Sequence, residues 1–324
     1  MEYYPLKFTP IIKDKIWGGQ RLKTLLHKDF GSLPNGGESW ELSTVDGNVS
    51  IIANGELRGL PLTEAIALLR GELVGNSVYA RFGTNFPLLI KFIDANDNLS
   101  VQVHPDDAMA AARHGCFGKT EMWYVVASKP GAQLISGFAK QITADDYKPL
   151  LDSGKFLETL GVHKVKPGDV FFMPAGRIHA IGRGIMVAEI QQTSDITYRV
   201  YDYNRRDAQG RERELHVDAA REAINFDDLD SGKKLYALRH NKRVQVVDCQ
   251  YFLTGIILVY GDSVRDYSTL DNCVILMCVR GAVTVENEQL ACGETMLVPA
   301  VMKHIVVHSD QRSTVLEILI PKPA

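Results

Sequence analysis

No CxxC pair occurs in this chain, and its five cysteines (Cys116, Cys249, Cys273, Cys278 and Cys292) are an odd set. A disulfide framework is therefore not indicated, and buried thiols in a reducing compartment are expected. No tract rich in Lys and Arg stands out, so nucleic acid is not an expected partner. No apolar run approaches membrane-spanning length; FLTGIILVY is representative of the longest. The first residues, MEYYPLKFTPIIKDKIWGG, lack the apolar core of a secretion signal. A cytoplasmic protein with no membrane partner is the expectation. What is present is ordinary globular composition: 324 residues, 45% hydrophobic and 23% charged, with net charge −3. That length allows a large core and two subdomains.

The coarse pattern is β-rich with a few short helices. PLLIKFIDA and EMWYVVAS read as strands, the first interrupted by Lys91. LPLTEAIALLRGELVG reads as a helix with Thr63 as N-cap, and ITADDYKPLLDSGKFLETLG as one capped by Thr143. Further helical patterns follow in DDAMAAARHG and LHVDAAREAINFDDL, and the chain is strand-rich again from Val244. An internal repeat links the two β-rich parts. Gly168 to His179 reads GDVFFMPAGRIH and Gly293 to His304 reads GETMLVPAVMKH, with glycine, proline and histidine at identical offsets. The first copy matches GxxxxxPxGxxH, the second half-motif of cupin barrels, which it resembles; the second copy has Val301 in place of the glycine. The expected fold is mainly β, with two cupin-like β-barrel (jelly-roll) units and a few short helices. Residues 1–235 would form the metal-binding unit and residues 236–324 a degenerate one, with His304 structural.

Four side chains carry the chemical signal. Gln102 and His104 lie two apart in SVQVHPDD and share one strand face. Glu121 precedes the apolar run MWYVV, where an unpaired buried carboxylate is costly. His179 closes the complete motif copy. Two imidazoles, a carboxylate and an amide suit a divalent first-row metal acting as a Lewis acid. Lys91, Lys119 and Arg199 accompany them. Three cations beside a metal favour an anionic ligand such as a sugar phosphate. For His163, His216 and His240 a packing role is the simpler reading.

Taken together, FPLLIKFIDANDNLSVQVHPDD, GKTEMWY, PAGRIHAIG and SDITYRVYDYNR resemble a type I mannose-6-phosphate isomerase of the short bacterial branch. The resemblance runs from KIWGG to the degenerate C-terminal unit. It implies one zinc ion per chain held by Gln102, His104, Glu121 and His179. It implies active-site roles for Lys91 and Lys119, and for Asp195 and Arg199, which stand four apart. It also implies interconversion of mannose 6-phosphate and fructose 6-phosphate through a cis-enediolate. On the chemistry of the residues, Arg199 would stabilise the enediolate, Lys119 would move a proton or orient a hydroxyl, Asp195 would orient Arg199 or shuttle protons, and Lys91 would bind substrate or phosphate. One departure is visible. Long-branch members carry HKPEM where this chain has Gly118 and Thr120, so the histidine's role cannot carry over. Trp17 in KIWGG and Glu41 in GESWELS are read as packing and ion-pair residues.

Two other readings remain open at this level. His104, His179 and Glu121 could form an iron facial triad, or the site could serve another sugar-phosphate isomerisation. A non-catalytic, metal-containing sugar-phosphate sensor is the alternative from another class. The sequence does not set the oligomeric state.

Overall fold

Short alternating segments become two packed β units in the computed structural model, which describes residues 2–322. The first unit pairs a seven-stranded sheet with a five-stranded one. In the larger sheet, Val170–Met173, Glu121–Ser128, Ile185–Gln192, Leu88–Ala95 and Glu38–Leu42 run side by side, all antiparallel. The smaller sheet sets His179–Ala180 between Gln133–Phe138 and Val101–Val103, with Tyr198–Tyr201 beyond. Ile93, Trp123, Val125, Leu134 and Phe171 fill the space between the sheets.

Leu88–Ala95 and Ile185–Gln192 are buried along their whole length. Their inner face meets that filling; their outer face meets a larger core shared with the second unit, including Phe92, Ile190, Ile256 and Leu316. Burial on both faces explains why these segments read as nearly continuous apolar runs rather than as alternation. Lys91 and Glu189 are the charged exceptions facing the barrel.

A nine-stranded sheet makes the second unit, dominated by the long antiparallel pair of Leu253–Asp266 and His304–Leu319. Val274–Arg280 and Thr295–Val298 extend it, and the N-terminal strand Leu6–Thr9 pairs with the latter, Leu6 opposite Leu297. The first residues of the chain thus complete the C-terminal sheet.

Helices cover the edges. Thr143 caps Ala144–Asp152 with a capping box closed by Asp146, as its sequence suggests. That helix stops at Asp152; Gly154, at φ +71°, turns the chain before a 3-10 turn at Phe156–Thr159. Thr63 is not a cap. The helix starts at Leu62, immediately after Pro61, whose extended backbone occupies the cap position and makes no side-chain cap bond. Thr63 falls inside the first turn.

Candidate metal centre and adjoining cavity

Three loops of the first unit deliver the four proposed ligands to one point. Gln102 and His179 stand opposite each other on paired strands. Glu121 begins the neighbouring strand of the larger sheet, and His104 follows Val101–Val103. His104 Nε2 lies 3.4 Å from Glu121 Oε2, and His179 Nε2 lies 3.4 Å from Glu121 Oε1. All three residues are buried, and one ligand atom from each falls within 4.8 Å of the others.

The hydrogen bonds around this group define its chemistry. His104 Nδ1 is 2.9 Å from the Ile196 carbonyl and His179 Nδ1 is 2.9 Å from the Arg177 carbonyl. A carbonyl only accepts, so both Nδ1 atoms carry the proton, and in the neutral rings both Nε2 atoms present lone pairs inward. Burial foremost pushes both imidazoles below the ordinary histidine range; for His104, Lys119 and His179 add to the effect. Neutral imidazole is the metal-binding form. Glu121 is fully buried, yet among the described residues neither carboxylate oxygen has a hydrogen-bond partner, and neither does His104 Nε2. Orphaned buried acceptors of this kind are expensive. A divalent cation among them removes the cost, so the donor set fits such an ion. Gln102 lies beside them: its amide nitrogen is 3.3 Å from His179 Nε2, and its Oε1 accepts from Ser100 Oγ at 3.2 Å.

Beside the group lies a cavity of about 230 Å³. Gln102, Lys119, Lys91, Asp195 and Arg199 all line it, so the structure brings every proposed site residue to the metal group or to this space. Lys119 Nζ is buried, 3.7 Å from Glu121 Oε2. Asp195 stands exposed at the rim. Among the described residues it makes no ion pair with Arg199, whose Nη1 donates instead to the Glu214 carbonyl at 2.7 Å. Arg199 Nε has no hydrogen-bond partner. Burial, reinforced by Arg213, lowers the Arg199 pKa.

The residues that sequence reasoning overlooked are the carboxylates. Lys91 Nζ pairs with Glu189 Oε2 at 2.7 Å and with Glu38 Oε2 at 3.7 Å. Burial would strip the ammonium of its proton, but these two carboxylates outweigh it and raise the Lys91 pKa well above the ordinary lysine range. Burial would likewise raise Glu38, yet Lys91, Lys15 and the Trp40 indole N–H together bring its pKa down to about 2. Glu189 also accepts from Trp123 Nε1 at 2.7 Å. Lys91 is thus neutralised inside the protein and does not by itself call for an anionic ligand, as counting cations along the sequence suggested. The remaining positive side chains at the cavity are Lys15, Lys119, Arg199 and Arg213. Lys15 pairs with Glu38 and Arg213 with Asp202, which among the described residues leaves Lys119 and Arg199 as the cations facing the space without a carboxylate of their own outside the metal group. A signal for Glu189 existed in IMVAEIQQ, a second apolar run broken by one charge, complementary to Lys91. Trp17 lines the cavity; Glu41 does not, and pairs with buried Lys28 at 2.8 Å.

Gly118 explains the local departure from HKPEM. A Cβ there would lie 2.6 Å from backbone atoms of Asp106 and Asp107, so this loop has no room for a histidine.

The chain is similar to known proteins along most of its length. Residues 6–130 match the family described as phosphomannose isomerase type I, catalytic domain. The chain is 37% identical over 305 residues to the mannose-6-phosphate isomerase of Streptococcus mutans, covering 92% of this chain and 93% of that protein. It is 37% identical over 264 residues to the mannose-6-phosphate isomerase ManA of Bacillus subtilis, 78% of each chain. The crystal structure of a Bacillus subtilis mannose 6-phosphate isomerase superposes with a TM-score of 0.83 at 30% identity, over 98% of this chain and 99% of that one.

Proposed function

The chain belongs to the type I phosphomannose isomerases, and on that premise we propose that it interconverts mannose 6-phosphate and fructose 6-phosphate with one zinc ion held by Gln102, His104, Glu121 and His179. The observation that carries the metal is the convergence of His104 Nε2 and both Glu121 oxygens, buried and without hydrogen-bond partners among the described residues, beside a cation-lined cavity. A zinc ion there supplies Lewis-acid polarisation of the substrate's carbonyl end.

The protein's own groups do the rest. Interconversion moves a proton between neighbouring carbons, so negative charge develops on O1 and O2 of a cis-enediolate. Arg199, permanently charged and lining the cavity, stabilises that charge and orients the two oxygens. Lys119 stands close enough to the Glu121 carboxylate to address the same oxygens, and moves a proton or fixes a hydroxyl there. Asp195, exposed at the rim, exchanges hydroxyl protons with solvent. Lys91 hydrogen-bonds a substrate hydroxyl while Glu189 and Glu38 hold its charge; its raised pKa makes it a donor rather than a base. Lys119 and Arg199 supply the positive field for the sugar phosphate. No described helix is long and apolar enough to cross a membrane, and all five thiols are free; both support a cytoplasmic location.

The test is a coupled assay following fructose 6-phosphate from mannose 6-phosphate, on protein stripped with a chelator and reloaded with zinc. Activity restored by zinc and absent with glucose 6-phosphate is expected. Sugar-phosphate binding without turnover in the zinc-loaded protein sinks the enzyme reading.

A further inference from the structure

The segment Gly118-Lys119-Thr120 carries one proposed catalytic lysine and leads directly into a proposed ligand, Glu121. It forms no helix or strand of its own. Its three backbone N–H groups nevertheless all have partners. Gly118 N donates to Asp107 Oδ1 at 2.8 Å, Lys119 N to the Pro105 carbonyl at 3.1 Å, and Thr120 N to Gln192 Oε1 at 2.8 Å. Gln192 is buried, and its Nε2 donates back to Asp107 Oδ1 at 2.8 Å. Gln192 N also donates to the Thr120 carbonyl at 3.2 Å. Thr120 Oγ1 accepts from Ala175 N at 3.1 Å, in the loop before His179, and Gly176 N donates to the His104 carbonyl at 2.9 Å. The segment Lys119-Thr120 therefore joins the stretches bearing His104, Glu121 and His179.

The outer support of this bracket comes from the other unit. Tyr251, just ahead of the long strand Leu253–Asp266, donates its hydroxyl to Asp107 Oδ2 at 2.8 Å. Beside that contact lies a cavity of about 320 Å³ lined by Tyr251, Gln250, Phe82 and Phe117, the last two packed edge to face. The polar chain Tyr251–Asp107–Gln192–Thr120 crosses the seam beside this cavity. It also accounts for the threonine at 120. A proline has no N–H for Gln192, and Gln192 Oε1 would be left buried without that donor.

We propose that Asp107, Gln192 and Tyr251 are positioning residues that set Lys119 and Glu121, and that the second barrel, which has no equivalent ligand set, contributes to the catalytic site through Tyr251. Groups that orient ligands from behind commonly change metal affinity or activity about 10–100-fold when removed. The inference rests on the isomerase reading, and its test separates the two.

Wild-type protein is first measured for isomerase activity and for zinc affinity by chelator competition; failure of the wild type on both counts is failure of the functional reading, and the inference falls with it. The variants Asp107→Ala, Asp107→Asn and Tyr251→Phe then isolate the bracket. Asp107→Ala is expected to weaken zinc binding and lower kcat, each about tenfold or more, with little change in KM. Asp107→Asn is expected to stay near wild type. Its Oδ1 keeps the bonds from Gly118 and Gln192, and its amide donates to the Tyr251 oxygen. Tyr251→Phe should show a smaller loss of the same pattern. Asp107→Ala with wild-type zinc affinity and kcat overturns the proposal, as does Asp107→Asn as impaired as Asp107→Ala. Should Asp107→Ala not fold, Gln192→Leu carries the same test by removing the acceptor of Thr120 N, and wild-type values there overturn it equally.

Discussion

Lys91 and Gly255 hold the same register position in the two barrels, one opposite Glu189 and the other opposite Glu317. Around them the correspondence is detailed. Trp123 and Leu276 flank the two glutamates from the other side. Glu38 and Arg243 stand opposite Ile93 and Ile257, two residues beyond Lys91 and Gly255. The first barrel thus buries one cation between two carboxylates. The second buries one carboxylate between two cations: Glu317 meets Arg243 Nε at 2.7 Å and Arg265 Nη2 at 2.9 Å, and accepts from Tyr267 at 2.6 Å. Arg243 fills the space above Gly255, where a Cβ would meet its side chain at 2.5 Å. A buried, compensated charge cluster is therefore a property of both barrels. What differs is the metal group. At the register of Glu121 the second barrel has the apolar Val274, and at those of Gln102 and His179 it has Asp266 and His304, both exposed and paired at 3.3 Å. The compensated cluster is common to both barrels; the buried His–Glu–His group is found, among the described residues, in the first alone.

The sharpest way to break this distinction is one substitution made in both barrels. Glu121→Gln should lower isomerase activity more than about 100-fold and weaken zinc binding comparably. It should not lower the melting temperature of the zinc-free protein, because among the described residues the carboxylate it removes accepts no hydrogen bond and its ion pair with Lys119 is long, at 3.7 Å. Glu317→Gln should do the reverse. Activity should stay within about twofold of wild type, while urea unfolding shows a loss of about 3 kcal/mol, since Arg243 and Arg265 keep their buried charge. Activity lost in both variants, or in neither, would erase the contrast.

A smaller effect separates the clusters by pH. The Glu38 carboxyl has its pKa lowered from 4.5 to about 2, burial being outweighed by Lys91, Lys15 and the Trp40 N–H. A lowered folded-state pKa stabilises above the unfolded value and loses that stabilisation as pH falls through the folded one. Wild-type stability should accordingly decline by about 3 kcal/mol between pH 4.5 and 2 from this group. Lys91→Met should already be less stable at neutral pH and show a shallower decline. Urea unfolding at stepped pH reads both, and a decline as steep in Lys91→Met as in wild type removes Lys91 as the cause.

The same contrast marks what the sequence could carry. Gln102, His104 and His179 were legible because strand alternation and a repeated motif are local. Both barrels were legible for the same reason, and so was the helix that Thr143 caps. Glu189 and Glu38 were not, because their meaning is set by strand pairing: only the register places them on Lys91. Arg213 and Lys15 reach the cavity from loops whose course no periodicity encodes. Thr63 misled because its cap propensity competes with Pro61, which is already fixed in the extended backbone that a cap residue needs.

The smallest expected effect asks whether the two clusters are interchangeable. Arg243→Glu places a second carboxylate near Glu317 and should destabilise the second barrel. Gly255→Lys alone forces a side chain against Arg243 and should also destabilise it. Combined, the two substitutions write the arrangement of the first barrel into the second, a lysine between two glutamates. The pair should then be more stable than the sum of the single losses allows, by about 1–3 kcal/mol of coupling. Urea unfolding of the four proteins gives that number directly. Additive losses would mean that the clusters share a register but not a geometry, and that the cation at 91 is held by the shape of its own barrel rather than by the pattern common to both.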